Sequence, residues 1–436
     1  MKKLIAIAFV LGIGTAGAVE ITSVTARQRW PWNNLVDVDF NLTAPAGETY
    51  RVELEAKCAG DTKHFAAKTL VTDPTVMAGE NRVTWDFGAD YPGVRAEDMR
   101  FSVSVVPTAE ADKPLYMVID LSGGTGATKY PVRYTSIGPE HVQGAKDEPC
   151  QTTELWLRRI TAPKTAFCVM YFRTANYGGD AFYAKLTKDY YIGVFELTQK
   201  QYNLIAGTWP SWFTNAEYRD SRPVEQLPFN TMTGTWEDTS ANPNLISGDS
   251  PLGKLRAKTG LPLNLPTLAQ LQYAALGGSP LGRELYQYYV DGAQAALNDI
   301  ARYKGNVEIE VKKTTHDADG ASGTAVVGSY LPNGYGLYDM LGNAWEISAT
   351  PKYNGNWNAY YQTKAGESTL GTTAGNPVVD PKGCAASEAS TQSTRAIFGG
   401  SWSFDSNPSV WLFRSKKSAA NWENYDMGYR LTMTVE

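Results

Sequence analysis

The chain has 436 residues, length enough for two or three domains, and its 43% hydrophobic and 19% charged content is that of a globular protein able to bury a core. Lys and Arg number 40 against 45 Asp and Glu, a net charge of −5, with no long basic run. That composition excludes a nucleic-acid-binding face, which needs clustered Lys and Arg.

Residues 1–18 read as a secretory leader. Met1-Lys2-Lys3 gives a positive start, Leu4 to Ile13 an apolar core, and Ala16-Gly17-Ala18 a small-residue cleavage site before Val19. The apolar run is too short to cross a bilayer comfortably, and no later stretch reaches about 18 apolar residues, so no transmembrane segment is expected. The expected location is outside the cytoplasm: periplasmic, cell-surface or secreted. Four cysteines remain, Cys58, Cys150, Cys168 and Cys384, and they allow three pairings. Cys150 and Cys168 are close enough in sequence to close a short loop and form the preferred pair, with buried free thiols as the alternative. No Cys-x-x-Cys or Cys/His spacing points to zinc.

Residues 19–106 carry period-two runs: Leu35–Leu42, Tyr50–Ala56, Asn81–Phe87 and Met99–Val106. Separated by Gly, Pro and Asp turns, they predict an antiparallel β-sandwich, immunoglobulin-like and acting as a spacer. His64 lies in a Lys-containing polar segment and reads as solvated. Residues 107–152 read as a linker, broken by Pro107, Pro114, Gly123, Gly124, Gly126 and Pro131, although Leu115–Leu121 can form one strand. Ser122-Gly-Gly-Thr-Gly126 lacks the Gly-Lys-Ser/Thr ending of a phosphate loop and reads as an ordinary loop. From residue 153 a second domain begins. Glu154–Ile160, Phe167–Phe172 and Tyr190–Phe195 predict strands. Thr198 and Thr267 are placed to cap helices over Gln199–Ile205 and Leu268–Leu276, the second ended by Gly277-Gly278. Gly282–Ile300 has helical spacing, and Ile397–Val435 is β-like and rich in aromatics. Little helix, short strands and long ordered loops make this domain α+β.

The most distinctive stretch is Pro332-Asn-Gly-Tyr-Gly-Leu-Tyr-Asp-Met-Leu-Gly-Asn-Ala-Trp-Glu346. Its Gly and Asn residues supply positive φ and close backbone approach. Tyr335, Tyr338 and Trp345 supply buried area. Asp339 and Glu346, with the carbonyls between them, are hard oxygen donors suited to Ca²⁺, the alternative being acids that merely cap or solvate a turn.

This stretch resembles the signature of the formylglycine-generating enzyme, or sulfatase-modifying factor, family. Tyr190–Tyr202, Leu265–Ala275, Gly399-Gly-Ser-Trp402 and Met427-Gly-Tyr-Arg430 follow in the family's order, so that the resemblance spans residues 153–436. It implies a C-type-lectin-like fold for the second domain, after the N-terminal sandwich. It also implies a calcium site made by the Asp339 side chain, the Gly342 and Ala344 carbonyls and the Glu346 side chain. A second family calcium site maps onto Arg302, Tyr303, Asp319 and Ala321. There Arg302 stands where a neutral ligand is usual, and the expectation is that Arg302 pairs with Asp319 in place of the ion.

The family's oxidases hold Cu(I) with two cysteines shortly after Gly-Gly-Ser-aromatic. The corresponding positions here fall at about Phe404 and Ser409, and no cysteine lies between residues 385 and 436. Copper is therefore not expected, and no catalytic residue is assigned. The iron-dependent sulfoxide synthase branch needs three grouped histidines, whereas His64, His141 and His316 are scattered; no Gly-x-Ser-x-Gly nucleophile elbow is supported either. The tail instead interleaves aromatics with Asn, Asp and Ser, a composition suited to a contact surface. Phe404, Asp405, Trp411, Trp422 and Tyr425 are expected at that surface, with Trp402, Leu412 and Tyr429 in the core. The expected function is a non-catalytic, calcium-stabilised module that binds a peptide, protein or glycan. A diverged oxidoreductase with an unrecognised site is the enzyme alternative, and a surface protein assembling through its sandwich a structural one. The tail is also similar to the lectin-fold variable proteins of diversity-generating retroelements, a minor possibility for the function.

Overall fold

The computed structural model describes residues 5–6, 19–29, 34–45, 48–58, 64–72, 74–94, 98–108, 114–135, 138–163, 165–171, 180–234, 246–277, 294–307, 319–351, 356–383, 394–403, 416–419 and 424–435. The chain divides into two compact units, Met1–Pro114 and Leu115–Glu436.

In the first unit the period-two runs become strands. Leu35–Thr43 pairs antiparallel with Glu20–Gln28 on one side and Gly79–Asp86 on the other. Tyr50–Cys58 pairs antiparallel with Met99–Pro107 over its whole length, and also with His64–Ala66 and Thr75–Val76. The two sheets share one core that includes Val38, Phe40, Leu54, Val83, Trp85 and Phe101. Alternation explains the arrangement, because successive side chains on a strand face opposite sides. Asp37 breaks the pattern as a buried acid and is held by the Arg29 Nε and Thr84 Oγ1 donors, each 2.8 Å away. Of the leader-like segment only Ile5–Ala6 is described, and it pairs in parallel with Arg100–Phe101.

The second unit begins inside the stretch expected to be a linker. Val132–Thr135, Tyr116–Asp120, Glu154–Ile160, Tyr190–Gly193 and Thr432–Thr434 form, in that order, a five-stranded sheet, antiparallel throughout. Residues 115–152 thus belong to the second unit. Their Pro and Gly residues end short elements instead of preventing them, and Met117, Val118 and Ile119 are fully buried. A four-stranded sheet has the order Lys416–Ala419, Thr394–Phe398, Trp345–Pro351, Met427–Gly428. A third, smaller sheet joins Phe167–Tyr171, Asp180–Lys185 and Val378–Val379. Mixed short strands and helices make the unit α+β.

Both predicted caps form. Thr198 Oγ1 accepts from the Gln201 N–H while Gln201 Oε1 accepts from the Thr198 N–H, opening the helix Gln199–Ala206. Thr267 and Gln270 do the same for Leu268–Ala275. Of Gly282–Ile300 only the last part is described, as the helix Gln294–Ile300. Cys150 and Cys168 are free thiols, contrary to the preferred pairing. Cys150 lies in the short helix Pro149–Thr152 with its sulfur toward Glu140 and Glu148, whereas Cys168 lies on the strand Phe167–Tyr171 of the smallest sheet of this unit. Cys384 lies outside the described residues.

Candidate metal centre

The Pro332–Glu346 stretch folds as the Gly and Asn pattern predicts, into a tight turn feeding the strand Trp345–Pro351. Asp339, Gly342 and Asn343 have φ of 54°, 80° and 59°. Gly342 is required twice over: its φ favours glycine, and a Cβ there would lie 2.3 Å from the Arg302 carbonyl oxygen. That close approach is bonded, since Asn343 donates its N–H to Arg302 O at 2.8 Å and Gly342 donates its own to Gly399 O at 2.7 Å.

Three carboxylates meet in the interior at this turn. Glu196, Asp339 and Glu346 are 0%, 2% and 1% exposed. Glu196 comes from the loop after Tyr190–Gly193 and is held by Asn343 Nδ2 at 2.6 Å and the Ala344 N–H at 2.9 Å. Asp339 Oδ2 accepts from the Gly328 N–H at 2.7 Å. Glu346 faces Arg430, whose Nε and Nη2 reach Oε1 at 2.7 and 2.6 Å. Arg430 also donates to the carbonyls of Gly193, Val194 and Tyr338, tying the turn to the end of the strand Tyr190–Gly193.

Burial pushes the Glu196 carboxyl well above its ordinary range, and the negative charges of Asp339 and Glu346 push it further. Asp339 is raised by burial to about 6, restrained by the Gly328 N–H, Arg430 and His141. Glu346 is raised by burial and pulled back by Arg430. Three acids against one guanidinium leave two negative charges unbalanced if all ionise. Asp339 Oδ1 and Glu346 Oε2 are buried and have no hydrogen-bond partner among the described residues. Unsatisfied buried carboxylate oxygens are costly, and a divalent cation with oxygen preference supplies both the charge and the missing partner. The side chains of Asp339 and Glu346 therefore have the chemistry to hold Ca²⁺. Glu196, which accepts from Asn343 and Ala344 in the turn, and Arg430, which bonds Glu346, had no role assigned from sequence. The available signal was a lone charge inside each of two apolar runs, Tyr190–Leu197 and Met427–Met433, since a charge buried there needs partners.

The second position does not fit a cation. The Arg302 guanidinium is buried and donates to three carbonyls, Nε to Gly323, Nη1 to Asn306 and Nη2 to Gly320, each at 3.2 Å. Asp319 is not what it binds: the Asp319 carboxylate accepts the Ala321 N–H at 3.1 Å, and the Asp319 carbonyl accepts from Arg222. The expected Arg302–Asp319 pair is thus replaced by a guanidinium inside a cage of carbonyls. Five fixed donors suit that cage better than one carboxylate does.

Of the expected contact surface, Phe404, Asp405, Trp411 and Trp422 lie outside the described residues, as does Leu412. Tyr425 is half-buried, its ring 5.9 Å from Trp402 and 6.1 Å from Trp212. Trp402 and Tyr429 are fully buried, as expected of core residues.

The family profile described as sulfatase-modifying factor enzyme 1-like domain matches residues 175–435. A formylglycine-generating enzyme of Thermomonospora curvata is 37% identical over 97 residues, 22% of this chain and 29% of that protein. One from Bos taurus is 37% identical over 83 residues, 19% of this chain and 20% of that protein. The matched stretches thus span less than a third of these curated relatives. Among solved structures, Treponema denticola variable protein 1 has 20% identity and a TM-score of 0.42, covering 64% of this chain and 95% of that one. With the profile match running over more than half of its residues, the chain belongs to the sulfatase-modifying factor family.

Proposed function

We propose that the protein is an exported, non-catalytic binding module in which Ca²⁺ holds the Asp339–Glu346 turn and the aromatic C-terminal region contacts a peptide, protein or glycan. The observation that carries the calcium part is the pair of buried, unpartnered oxygens, Asp339 Oδ1 and Glu346 Oε2. The non-catalytic part rests on residues: the four cysteines are at 58, 150, 168 and 384, so none follows Gly399-Gly-Ser-Trp402 where family oxidases place their copper ligands. Tyr425 and Trp212, both partly exposed over the buried Phe213 and Trp402, are consistent with an aromatic contact surface. The first unit serves in this reading as an immunoglobulin-like spacer.

Metal content and thermal unfolding of the purified protein test the calcium site. Calcium at 100 times its dissociation constant stabilises the fold by about 2.7 kcal/mol, and a chelator reverses the shift. Asp339→Ala should abolish the calcium response while the protein stays folded by near-ultraviolet circular dichroism. A Cys-x-Pro-x-Arg peptide incubated with the protein and copper should remain unoxidised. Formylglycine in that peptide would overturn the non-catalytic reading and favour the diverged-oxidoreductase alternative.

A further inference from the structure

A second group of metal-binding side chains lies outside the family match, in residues 141–150. His141, Glu148 and Cys150 place a ring nitrogen, a carboxylate oxygen and a sulfur all within 4.8 Å of one another. His141 Nδ1 is 2.5 Å from Glu148 Oε2, and Cys150 Sγ is 3.9 Å from the same oxygen. The geometry points to a binding site for one borderline divalent transition ion, Zn²⁺ first, held by His141 Nδ1, Glu148 and the Cys150 thiolate.

Several features prepare these residues for an ion. His141 Nε2 faces the Gly328 carbonyl oxygen at 2.9 Å and must carry a proton to bond it. That fixes the tautomer and turns the Nδ1 lone pair toward Glu148 and Cys150, the outer-sphere arrangement typical of a metal-ligating histidine. The ring is wedged against Phe195 and Tyr338 at 5.1 and 5.0 Å, so it cannot swing away. Gly328 has φ of 78°, and a Cβ there would fall 2.3 Å from His141 Nε2. Only glycine lets the carbonyl come this close.

A tetrahedral zinc at ordinary bond lengths separates these donor atoms by about 3.4–3.6 Å. The sulfur-to-carboxylate distance of 3.9 Å is near that spacing, and the His141–Glu148 contact must open by about 1 Å, which Glu148 can allow because its side chain is 20% exposed. One thiolate and one carboxylate neutralise a divalent ion, and solvent on the Glu148 side supplies the fourth ligand. The balance involves two protons. The thiol loses one, and the proton that must lie between Nδ1 and Oε2 at 2.5 Å leaves as the ion replaces it. Burial and the Glu148 charge push the free thiol up to about 12, so it stays protonated until an ion displaces the proton. A mere structural His–Glu pair predicts none of this for the sulfur.

Cobalt titration of the metal-stripped, full-length protein in excess calcium tests the site. One equivalent should bind with thiolate-to-cobalt charge-transfer absorption, release protons, and be displaced by Zn²⁺. Cys150→Ser should lose the absorption and Cys168→Ser should keep it. Glu148→Gln, a variant at a partly exposed position, should weaken cobalt binding by about tenfold or more. Folded protein lacking the absorption, absorption that survives in Cys150→Ser, or undiminished affinity in Glu148→Gln would each overturn the assignment.

Discussion

Arg430 is the residue on which the buried acids depend. Its guanidinium is fully buried, bonds Glu346, and satisfies three carbonyls from two distant places in the chain. Arg430→Met keeps much of the volume but leaves Glu346 an uncompensated buried charge. It should lower stability by about 3–5 kcal/mol in urea unfolding. A different residue sets a pH response. Glu225 is fully buried, and burial raises its carboxyl to about 8 from the ordinary 4.5, against the pull of the Trp212 and Phe213 N–H donors and Arg222. The folded protein keeps a proton that the unfolded chain gives up. The resulting stability is fully present below about pH 4.5 and lost as pH rises through about 8. Glu225→Gln should flatten that part of the profile, seen as a smaller difference between urea midpoints at about pH 5 and about pH 9. None of these partners was legible from residue type alone. Glu196, Glu225, Arg222 and Arg430 look like ordinary charged residues until the fold removes their water. Asp339 and Glu346 stood out as a pair because they lie seven residues apart around one turn, where the structure buries both.

At the scale of elements, local signals read well and pairing signals did not. The capping Thr198 and Thr267, the alternating strands of the first unit and the positive-φ turn at Gly342 all follow from contacts within a few residues. The strand Tyr116–Asp120 was visible as an apolar run, but its place between Val132–Thr135 and Glu154–Ile160 depends on partners that periodicity does not name. For the same reason the His141, Glu148 and Cys150 group was missed: no zinc-type spacing joins them, and the ring's anchor, Gly328, is 187 positions from His141. The turn offers an element-scale prediction. Gly342→Ala places a methyl against Arg302 O in a backbone region that costs a non-glycine residue about 1–3 kcal/mol. Thermal unfolding should fall by at least that amount, and the stabilisation by calcium should shrink with it.

At the scale of the whole molecule, each of the two units has its own hydrophobic cores. The division between them at Pro114 was only partly legible, because a proline- and glycine-rich sequence looks the same whether it links domains or turns corners inside one. Family membership was legible from five ordered motifs, while the cage around Arg302 needed coordinates. On the proposed calcium reading, that cage separates two kinds of dependence within one chain. A diffusible ion must be gathered from the surroundings, exchanges with them, and leaves when its concentration drops. The Arg302 cation is delivered by translation itself, one per chain. It cannot be chelated or diluted away, so the loop at 319–323 is ordered by inheritance, whereas a turn at 339–346 that held Ca²⁺ as proposed would answer to the medium.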